Sequence, residues 1–447
     1  MVWKNKMKYF NRHIDSELSK WRNEKMHKPI LLRGARQIGK SAAVRNLAKQ
    51  FDYFLEINFE EESEARAAFE TSLNPKVVCE KLFSIYDIPI IAGKTLVFFD
   101  EIQACIPAIS SLRFFYEKMP ELHVIAAGSL LEFALEEIPS FGVGRIRSLF
   151  MYPFSYAEFL QANGNIGLLE AINKAHPENP LDEVVHKRAL YFLKLFMLTG
   201  GMPAVVANYV EYGDLGQCQQ VLDDLIVSMR DDFAKYKNRI PSLQISAAFD
   251  SVIRQMSGKF VYVDKEQVYS AFQIKQAVEL LIMAGLVIPV IHTSANGLPL
   301  GAEINPKFRK LMLIDTGIFQ RLLGMQLSDI LLSDDFDAIN KGGIAEMFVG
   351  LELMKSNSFY QSTRLFYWQR EEKNARAEVD FVVQKNMEIV PIEVKSGKQG
   401  KMQSMHLFLK EKKKEYGIRT SLENFATYDK IKVVPLYSIG NEIYKQR

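Results

Sequence analysis

Short apolar segments alternate with helical patterns between residues 29 and 129. Four of these segments have the apolar composition of buried strands, at residues 29–32, 53–59, 95–100 and 123–129. Strands that alternate with helices form βαβ units, and such units build a parallel sheet that is covered by helices on both faces. The sequence therefore predicts an α/β domain with a buried parallel sheet in this part of the chain.

A glycine-rich turn follows the first of these strands and opens a helical pattern. It reads Gly-Ala-Arg-Gln-Ile-Gly-Lys-Ser and matches the Walker A pattern GxxxxGK[ST]. Its glycines let successive backbone N–H groups turn toward phosphate oxygens at the positive end of a helix. We expect Lys40 to reach the β- and γ-phosphates and Ser41 to bind Mg²⁺. The predicted nucleotide-binding residues are Gly34, Ala35, Arg36, Gln37, Ile38, Gly39, Lys40 and Ser41.

Two acidic residues end the third apolar segment, as in a Walker B motif. Asp100 is predicted at the carboxyl end of the strand, where open parallel sheets bind ligands, and would hold Mg²⁺ through water. Glu101 is expected to orient and deprotonate the water that attacks the γ-phosphate. Ser129 ends the fourth segment, and there it either places a hydroxyl near the γ-phosphate or belongs to an ordinary turn.

Two arginines lie in the segment 141–150, which reads FGVGRIRSLF. Arg145 or Arg147 is a candidate arginine finger, a cation that stabilises the transition state in the same chain or from a neighbouring subunit. The alternative is that both are ordinary surface arginines.

Residues 28–160 resemble the AAA-type ATPases of bacteria and archaea in which a helical middle precedes a C-terminal domain of unknown function. The resemblance rests on the order of five motifs, GARQIGKS, FFDEIQ, AAGS, Gly144-Arg145 and MYPFSYAEF, and it extends to TGGMP at 199–203, AGLV at 284–287 and DTG at 315–317. It implies that ATP and Mg²⁺ bind. It is also compatible with a homo-oligomeric ring, since an arginine finger often comes from a neighbour.

An acidic pattern occurs in two neighbouring predicted strands near the C-terminus. Asp380 lies in one strand and Glu393-Val394-Lys395 in the next, and alternation places Glu393 and Lys395 on one face. Two carboxylates can hold divalent cations against a scissile phosphate while a lysine orients water. With Glu346 as a further acidic position on the preceding helix, residues 342–396 resemble the PD-(D/E)XK nucleases. A salt-bridged Glu393–Lys395 pair, or a fold that grips DNA without cutting it, would give the same pattern.

Basic residues are locally enriched in the second half of the chain. A predicted helix over 401–416 contains Lys410, Lys412, Lys413 and Lys414. These lysines form either a DNA-binding patch or a solvated helix face. Two helices followed by a hairpin resemble a winged helix and offer Lys265, Lys275, Lys307, Arg309 and Lys310 to phosphates. Such domains also bind other proteins.

The predicted fold class is α/β multidomain. The expected order is a lead-in helix (1–22), a P-loop ATPase core (23–150), a helical subdomain (151–240), a winged-helix-like domain (241–325) and a restriction-endonuclease-like domain (326–447).

Composition narrows the remaining classes of protein. The formal net charge of +3 is too small to favour nucleic acid or anionic lipid on charge alone. Cys79, Cys105 and Cys218 are odd in number and lack a CxxC pair, which argues against a disulfide framework and a zinc site. The N-terminus has mixed charges, and the longest apolar run, 280–291, is too short to span a bilayer. We therefore expect a cytoplasmic protein without a membrane anchor.

These observations predict a Mg²⁺-dependent ATPase that acts on DNA, with a metal-dependent nuclease site in its last domain. The alternative is a nucleotide-controlled regulator that binds DNA or a protein partner and has no nuclease activity.

Overall fold

The structure is a computed structural model, which describes residues 8–137, 144–236, 239–263, 266, 268–327, 343–371, 377–395 and 402–444. The chain divides into two compact units. The first unit consists of Met1–Pro153, Met283–Gly285 and Ser358–Ser362, and the second of Phe154–Ile282, Leu286–Asn357 and Thr363–Arg447.

The first unit alternates strands and helices, as its sequence predicts. Its strands are β1 (Ile30–Arg33), β2 (Tyr53–Asn58), β3 (Thr95–Asp100), β4 (His123–Ala127) and β5 (Arg147–Phe150). Its helices are α1 (His13–Arg22), α2 (Lys40–Ala48), α3 (Ser63–Glu70), α4 (Pro75–Tyr86), α5 (Ile106–Lys118) and α6 (Leu131–Glu137), with a short 3₁₀ helix at Ile102–Ala104.

The described strands of the first unit form a parallel sheet in the order β2-β3-β4-β1-β5. Every residue of β3 and β4 is buried, which agrees with their continuous apolar sequences. The predicted parallel sheet is confirmed. The edge strand β5 was not among the predicted strands, because its sequence Arg-Ser-Leu-Phe has little apolar character.

Helix α1 packs against α2, and its apolar side chains Ile14, Leu18 and Trp21 are buried. The Trp21 ring meets the rings of His27 and His123 edge-on, with centroid distances of 5.2 and 5.1 Å. Its Nε1 donates a hydrogen bond of 2.8 Å to the Lys28 carbonyl. The lead-in segment therefore contains a helix that is part of the folded unit.

The second unit is helical first and then contains a mixed sheet. Its helices are α7 (Tyr156–Ala162), α8 (Ile166–Lys174), α9 (Glu183–Thr199), α10 (Pro203–Tyr212), α11 (Leu215–Asp231), α12 (Ser242–Arg254), α13 (Ala271–Met283), α14 (Thr316–Leu322), α15 (Ile344–Lys355), α16 (Gln403–Glu411) and α17 (Ile439–Ile443). Its strands are β6 (Val287–Thr293), β7 (Ile304–Leu313), β8 (Leu365–Gln369), β9 (Glu378–Lys385), β10 (Glu388–Val394), β11 (Gly417–Ser421), β12 (Ala426–Tyr428) and β13 (Ile431–Pro435). Short 3₁₀ helices lie at Asp232–Tyr236, Leu300–Glu303 and Leu436–Ser438.

The hairpin β6–β7 belongs to the same sheet as the C-terminal strands. The described strands run in the order β12-β13-β11-β10-β9-β8-β6-β7, and β6 pairs in parallel with β8. Helices α12 and α13 precede the hairpin in the order expected of a winged helix. The predicted boundary at residue 325 falls between strands of one sheet, and the winged-helix and nuclease-like folds stay predictions.

The motifs TGGMP (199–203) and DTG (315–317), which have no predicted chemical role, meet inside the second unit. Asp315 Oδ2 accepts a hydrogen bond of 2.7 Å from the Gly201 N–H, and Oδ1 accepts one of 3.1 Å from the Ile318 N–H. A Cβ at Gly317 would collide with the Thr199 carbonyl, so only glycine permits this approach. TGGMP and DTG therefore join the end of α9 to the start of α14.

Replacing Asp315 with alanine should lower the free energy of unfolding by about 2–5 kcal/mol, because two buried N–H groups lose their acceptor. Asp224→Ala, at an exposed position of α11, is the matched control and should change it by less than about 0.5 kcal/mol. Urea denaturation followed by circular dichroism measures both. Equal stability of the two variants would refute the role of Asp315.

Candidate functional site

The loop between β1 and α2 has the backbone that a phosphate-binding turn requires. Gly34 and Gly39 have φ values of 142° and 93°, in the region that favours glycine. A Cβ at Gly34 would collide with the Met151 carbonyl, so packing at this position also requires glycine. Helix α2 begins at Lys40, so its N-terminus follows the loop directly.

The Lys40 ammonium is folded back onto this loop. Nζ donates hydrogen bonds of 2.9 Å to the Gly34 carbonyl and 2.7 Å to the Ala35 carbonyl, and Lys40 is only 7% exposed. Burial lowers the pKa of Lys40 to about 8, against the opposing charges of Glu101 and Asp100. A buried ammonium that donates to two neutral carbonyls is well suited to bind an anionic phosphate.

Ser41 and Asp100 lie side by side where β1 and β3 end. Ser41 Oγ donates a hydrogen bond of 2.7 Å to Asp100 Oδ2. Burial raises the pKa of Asp100, although the hydrogen bond from Ser41 lowers it in part. A hydroxyl and a carboxylate are hard oxygen ligands, and together with nucleotide phosphates they suit Mg²⁺. These two residues therefore fit the cation expected here.

Glu101 is held by two neighbours in a defined orientation. Its Oε2 accepts hydrogen bonds from Gln103 Nε2 at 2.7 Å and from the N–H and Oγ of Ser129, both at 3.1 Å. Burial acts to raise the pKa of Glu101, but these hydrogen bonds and the charge of Lys40 outweigh it and lower the pKa. Ser129 thus lies in the site, but its hydroxyl binds the carboxylate in this structure.

Gln103 and Arg12 contact the predicted site residues, although sequence reasoning gave neither a role. Gln103 follows the acidic pair by two residues and reaches back to Glu101 because a 3₁₀ turn begins there. Arg12, just before α1, donates hydrogen bonds to the Ile38 carbonyl at 3.2 Å and the Tyr152 carbonyl at 2.7 Å. No sequence signal identifies Arg12, since it is far from the loop in the chain.

The two candidate arginine fingers form ion pairs within the first unit. Arg145 pairs with Glu117 on α5, and its side chain is 48% exposed. Arg147 pairs with Glu24 at 2.6 Å and lies over the ring of Tyr360. Residues 141–143 of this segment lie outside the described residues. Arg145 is therefore the more exposed of the two and stays the candidate.

The predicted metal ligands of the C-terminal unit surround a lysine. Lys310 on β7 lies 2.8 Å from Glu346 Oε1, 2.5 Å from Glu378 Oε1 and 3.9 Å from Asp380 Oδ1. Lys310 was expected to meet phosphates, but it is only 2% exposed. Two predictions therefore need correction. Lys310 is buried and does not face phosphates, and its ammonium contacts Glu346, where a divalent cation was expected.

Glu393 pairs with Lys395 at 2.6 Å, which is the salt-bridge alternative for the ExK motif. Among the described residues, no group of three or more His, Cys, Asp and Glu side chains is arranged to hold a metal ion. The residues therefore do not fit the cation predicted for Glu346, Asp380 and Glu393.

The other basic residues have mixed positions. Lys275 and Lys307 are exposed, Arg309 pairs with Glu279 at 2.5 Å, and Lys265 lies outside the described residues. Helix α16 ends at Glu411, five residues earlier than predicted, and Lys410 and Lys413 are exposed at its end and just beyond it.

In the described segments no helix has both the length and the apolar character to cross a bilayer.

Comparison with protein families agrees with this geometry in the first unit. Residues 26–160 match the AAA domain family AAA_14. This segment is similar to AAA-type P-loop ATPase domains. Residues 192–329 and 341–439 match two domains of unknown function, DUF8612 and DUF4143. No curated protein matches the chain.

Several solved structures match the chain at low sequence identity. The Walker-type ATPase PABY2304 of Pyrococcus abyssi is 15% identical, with 70% of this chain and 96% of that chain covered and a TM-score of 0.45. The Orc1 protein of Aeropyrum pernix in complex with DNA is 14% identical, with 75% and 96% covered and a TM-score of 0.30. Drosophila ORC bound to DNA is 15% identical, with 71% and 88% covered and a TM-score of 0.28.

The pKa of Lys40 predicts a pH dependence of ATP binding. Below about pH 8 the ammonium is charged before ATP arrives, whereas above it a proton must be taken up with the phosphates. We expect the affinity to fall by about tenfold for each pH unit above about 8. Calorimetry in two buffers of different ionisation enthalpy measures the proton uptake.

Lys40→Arg is the control, because its guanidinium stays charged throughout this range. The affinity that it retains should be independent of pH. A native affinity that stays constant as pH rises past 8 would contradict the buried, pKa-shifted state of Lys40.

Proposed function

We propose that the protein hydrolyses ATP in a Mg²⁺-dependent reaction at the loop between β1 and α2. One observation carries the proposal: Lys40, Ser41, Asp100 and Glu101 converge at the carboxyl ends of the adjacent strands β1, β4 and β3. A vestigial nucleotide loop would not need all four residue types.

Each residue has a distinct proposed role. The loop N–H groups and the α2 N-terminus bind the phosphates, and Lys40 leaves the Gly34 and Ala35 carbonyls to neutralise the β- and γ-phosphates. Ser41 and Asp100 hold Mg²⁺, which would neutralise charge on the phosphate oxygens when bound.

Glu101 is the proposed base that orients and deprotonates the attacking water. Its lowered pKa keeps the carboxylate ionised near neutral pH, as a base requires. Ser129 and Gln103 position the carboxylate through their hydrogen bonds, and Glu101 must exchange at least one of these bonds for the water.

Arg145 is proposed as an arginine finger that acts on a neighbouring copy of the chain. It is half exposed, and its partner Glu117 lies on the surface of α5. Exchange of this exposed pair for a phosphate costs little, since exposed ion pairs contribute about 0–1 kcal/mol.

Glu101→Gln should bind ATP as the native chain does but slow turnover by about 10²–10⁴-fold, because the amide cannot accept the proton. Lys40→Ala should weaken ATP binding by about 30-fold or more, because the phosphates lose a buried cation. Phosphate release measures turnover and equilibrium titration measures binding.

Glu121→Gln and Lys49→Ala are matched controls at exposed positions of the same unit, and both should behave as native. Near-native turnover of Glu101→Gln would exclude Glu101 as the base. Unchanged ATP affinity of Lys40→Ala would exclude the loop as the phosphate site.

We propose that the second unit binds DNA and does not cut it. The exposed Lys410 and Lys413 supply cations near the end of α16, and Lys412 contacts the Trp368 ring at 5.9 Å. The absence of cleavage is proposed because the Lys310 ammonium pairs with Glu346 and Glu378, and no acidic, His or Cys residues that the structure describes form a metal-binding group. A protein partner at this surface is the alternative.

The variant Lys410→Gln/Lys413→Gln should bind DNA more weakly, with a shallower salt dependence, because each lost phosphate contact lowers the slope by about 0.9. Lys174→Gln/Lys187→Gln removes two exposed lysines elsewhere in the unit and should have no effect. Fluorescence anisotropy of labelled DNA at several salt concentrations measures this. Equal slopes for both variants would favour the protein partner.

A further inference from the structure

The second unit contains a cavity of about 570 Å³. Its wall is formed by the end of α8 with the residues that follow, the turn between β9 and β10, Lys432 on β13, and α17 with its flanking residues. All these residues belong to the second unit, whereas the loop between β1 and α2 belongs to the first. Ligand pockets measure about 300–1,000 Å³, so the cavity has room for a small organic molecule.

The charged side chains that line the cavity have a positive balance. Lys174, Lys385 and Lys432 are cationic, and Glu442 is the carboxylate among the described lining residues. With His176 neutral, three ammonium groups against one carboxylate leave an excess of two positive charges. The cavity is therefore suited to an anionic ligand.

Lys385 and Lys432 share a single oxygen of Glu442. Their Nζ atoms donate hydrogen bonds of 2.8 and 2.9 Å, respectively, to Glu442 Oε1. Burial acts to raise the pKa of Glu442, but the hydrogen bonds from both lysines outweigh it and lower the pKa. One carboxylate charge thus serves two ammonium groups. Since an ammonium has three N–H donors and both lysines are partly exposed, each retains donors for a ligand.

Two exposed carboxylates pair with other residues that line the cavity. Glu170 lies 3.8 Å from the Lys174 ammonium, and Glu178 lies 2.7 Å from His176. Ion pairs at such exposed positions are weak, because water screens their charges. They therefore leave the excess charge of the lysines on β9 and β13 in place.

Neutral polar groups complete the lining. Asn173, Asn386 and Asn441 contribute side-chain amides, each of which can both donate and accept hydrogen bonds. Burial raises the pKa of Tyr444, so its hydroxyl stays protonated near neutral pH. These groups suit a ligand that carries hydroxyl or carbonyl groups beside its anionic group.

We propose that this cavity binds a small phosphorylated molecule, with its phosphate against Lys385 and Lys432. A phosphate monoester carries a charge of about −1.5 to −2 at pH 7, which matches the excess charge of the lining. Two ammonium groups that share one carboxylate oxygen lie close together, so two oxygens of the same phosphate can contact both. A carboxylate ligand would neutralise only half of this charge. The inference goes beyond the proposed ATPase activity, since it uses residues of the second unit alone.

Calorimetric titration of the full chain with ribose 5-phosphate tests the proposal. We expect saturable binding of ribose 5-phosphate and none of ribose, which lacks the phosphate. Lys385→Gln and Lys432→Gln should each weaken binding by about tenfold, because a charge-assisted hydrogen bond is lost. Glu442→Gln should strengthen binding by about tenfold, because the competing carboxylate is gone. Opposite effects of these variants are not expected of a cluster that only stabilises the fold.

Two further variants locate the bound phosphate. Lys430→Gln removes an exposed lysine just before β13 and should bind ribose 5-phosphate as the native chain does. Lys40→Ala, which disables the phosphate loop of the first unit, should retain this binding. If Glu442→Gln does not fold, the two lysine variants still carry the test, because each keeps one ion pair with Glu442.

The proposal is wrong if the native chain does not bind ribose 5-phosphate. It is also wrong if Lys385→Gln and Lys432→Gln bind as tightly as the native chain, or if Glu442→Gln weakens binding. In each of these cases the lysines serve only to pair with Glu442.

Discussion

The order of the parallel strands in the first unit is the constraint on which its chemistry depends. Because β1, β4 and β3 are neighbours, the residues that follow them are gathered at one edge of the sheet. The loop after β1 supplies Lys40 and Ser41, β3 ends in Asp100 and Glu101, and Ser129 comes after β4. Burial of the strands fixes these positions, so small polar side chains can meet at hydrogen-bond distances.

Two buried lysines show how environment decides what a cation does. Lys40 contacts neutral carbonyls, so burial dominates and its pKa falls to about 8. Lys310 lies among three carboxylates, whose charges outweigh burial and raise its pKa. In the proposed function the Lys40 ammonium would gain an anionic partner from phosphate, whereas the Lys310 ammonium already has carboxylate partners. The Lys40 ammonium thus has uncharged hydrogen-bond acceptors, whereas the Lys310 ammonium is already paired with carboxylates.

Local sequence was sufficient to predict features that depend on neighbours in the chain. The loop at 34–41, the acidic pair and the buried strands fall in this class, because a turn and an apolar strand are short-range structures. Contacts of Arg12 and Lys310 depend on tertiary packing between distant segments, so no motif reveals them. The D…ExK spacing does not reveal Lys310 for the same reason, since the pattern contains Asp380 and Glu393 but not the lysine that contacts Glu346 and Asp380.

The proposed function depends on ATP binding at the loop between β1 and α2. A crystal structure of the chain with Mg²⁺ and a non-hydrolysable ATP analogue tests this most directly. We predict phosphates against the loop N–H groups, Lys40 Nζ moved from the Gly34 and Ala35 carbonyls to phosphate oxygens, and Mg²⁺ beside Ser41 and Asp100. A nucleotide bound elsewhere, or Lys40 still on the two carbonyls with the loop empty, would contradict it.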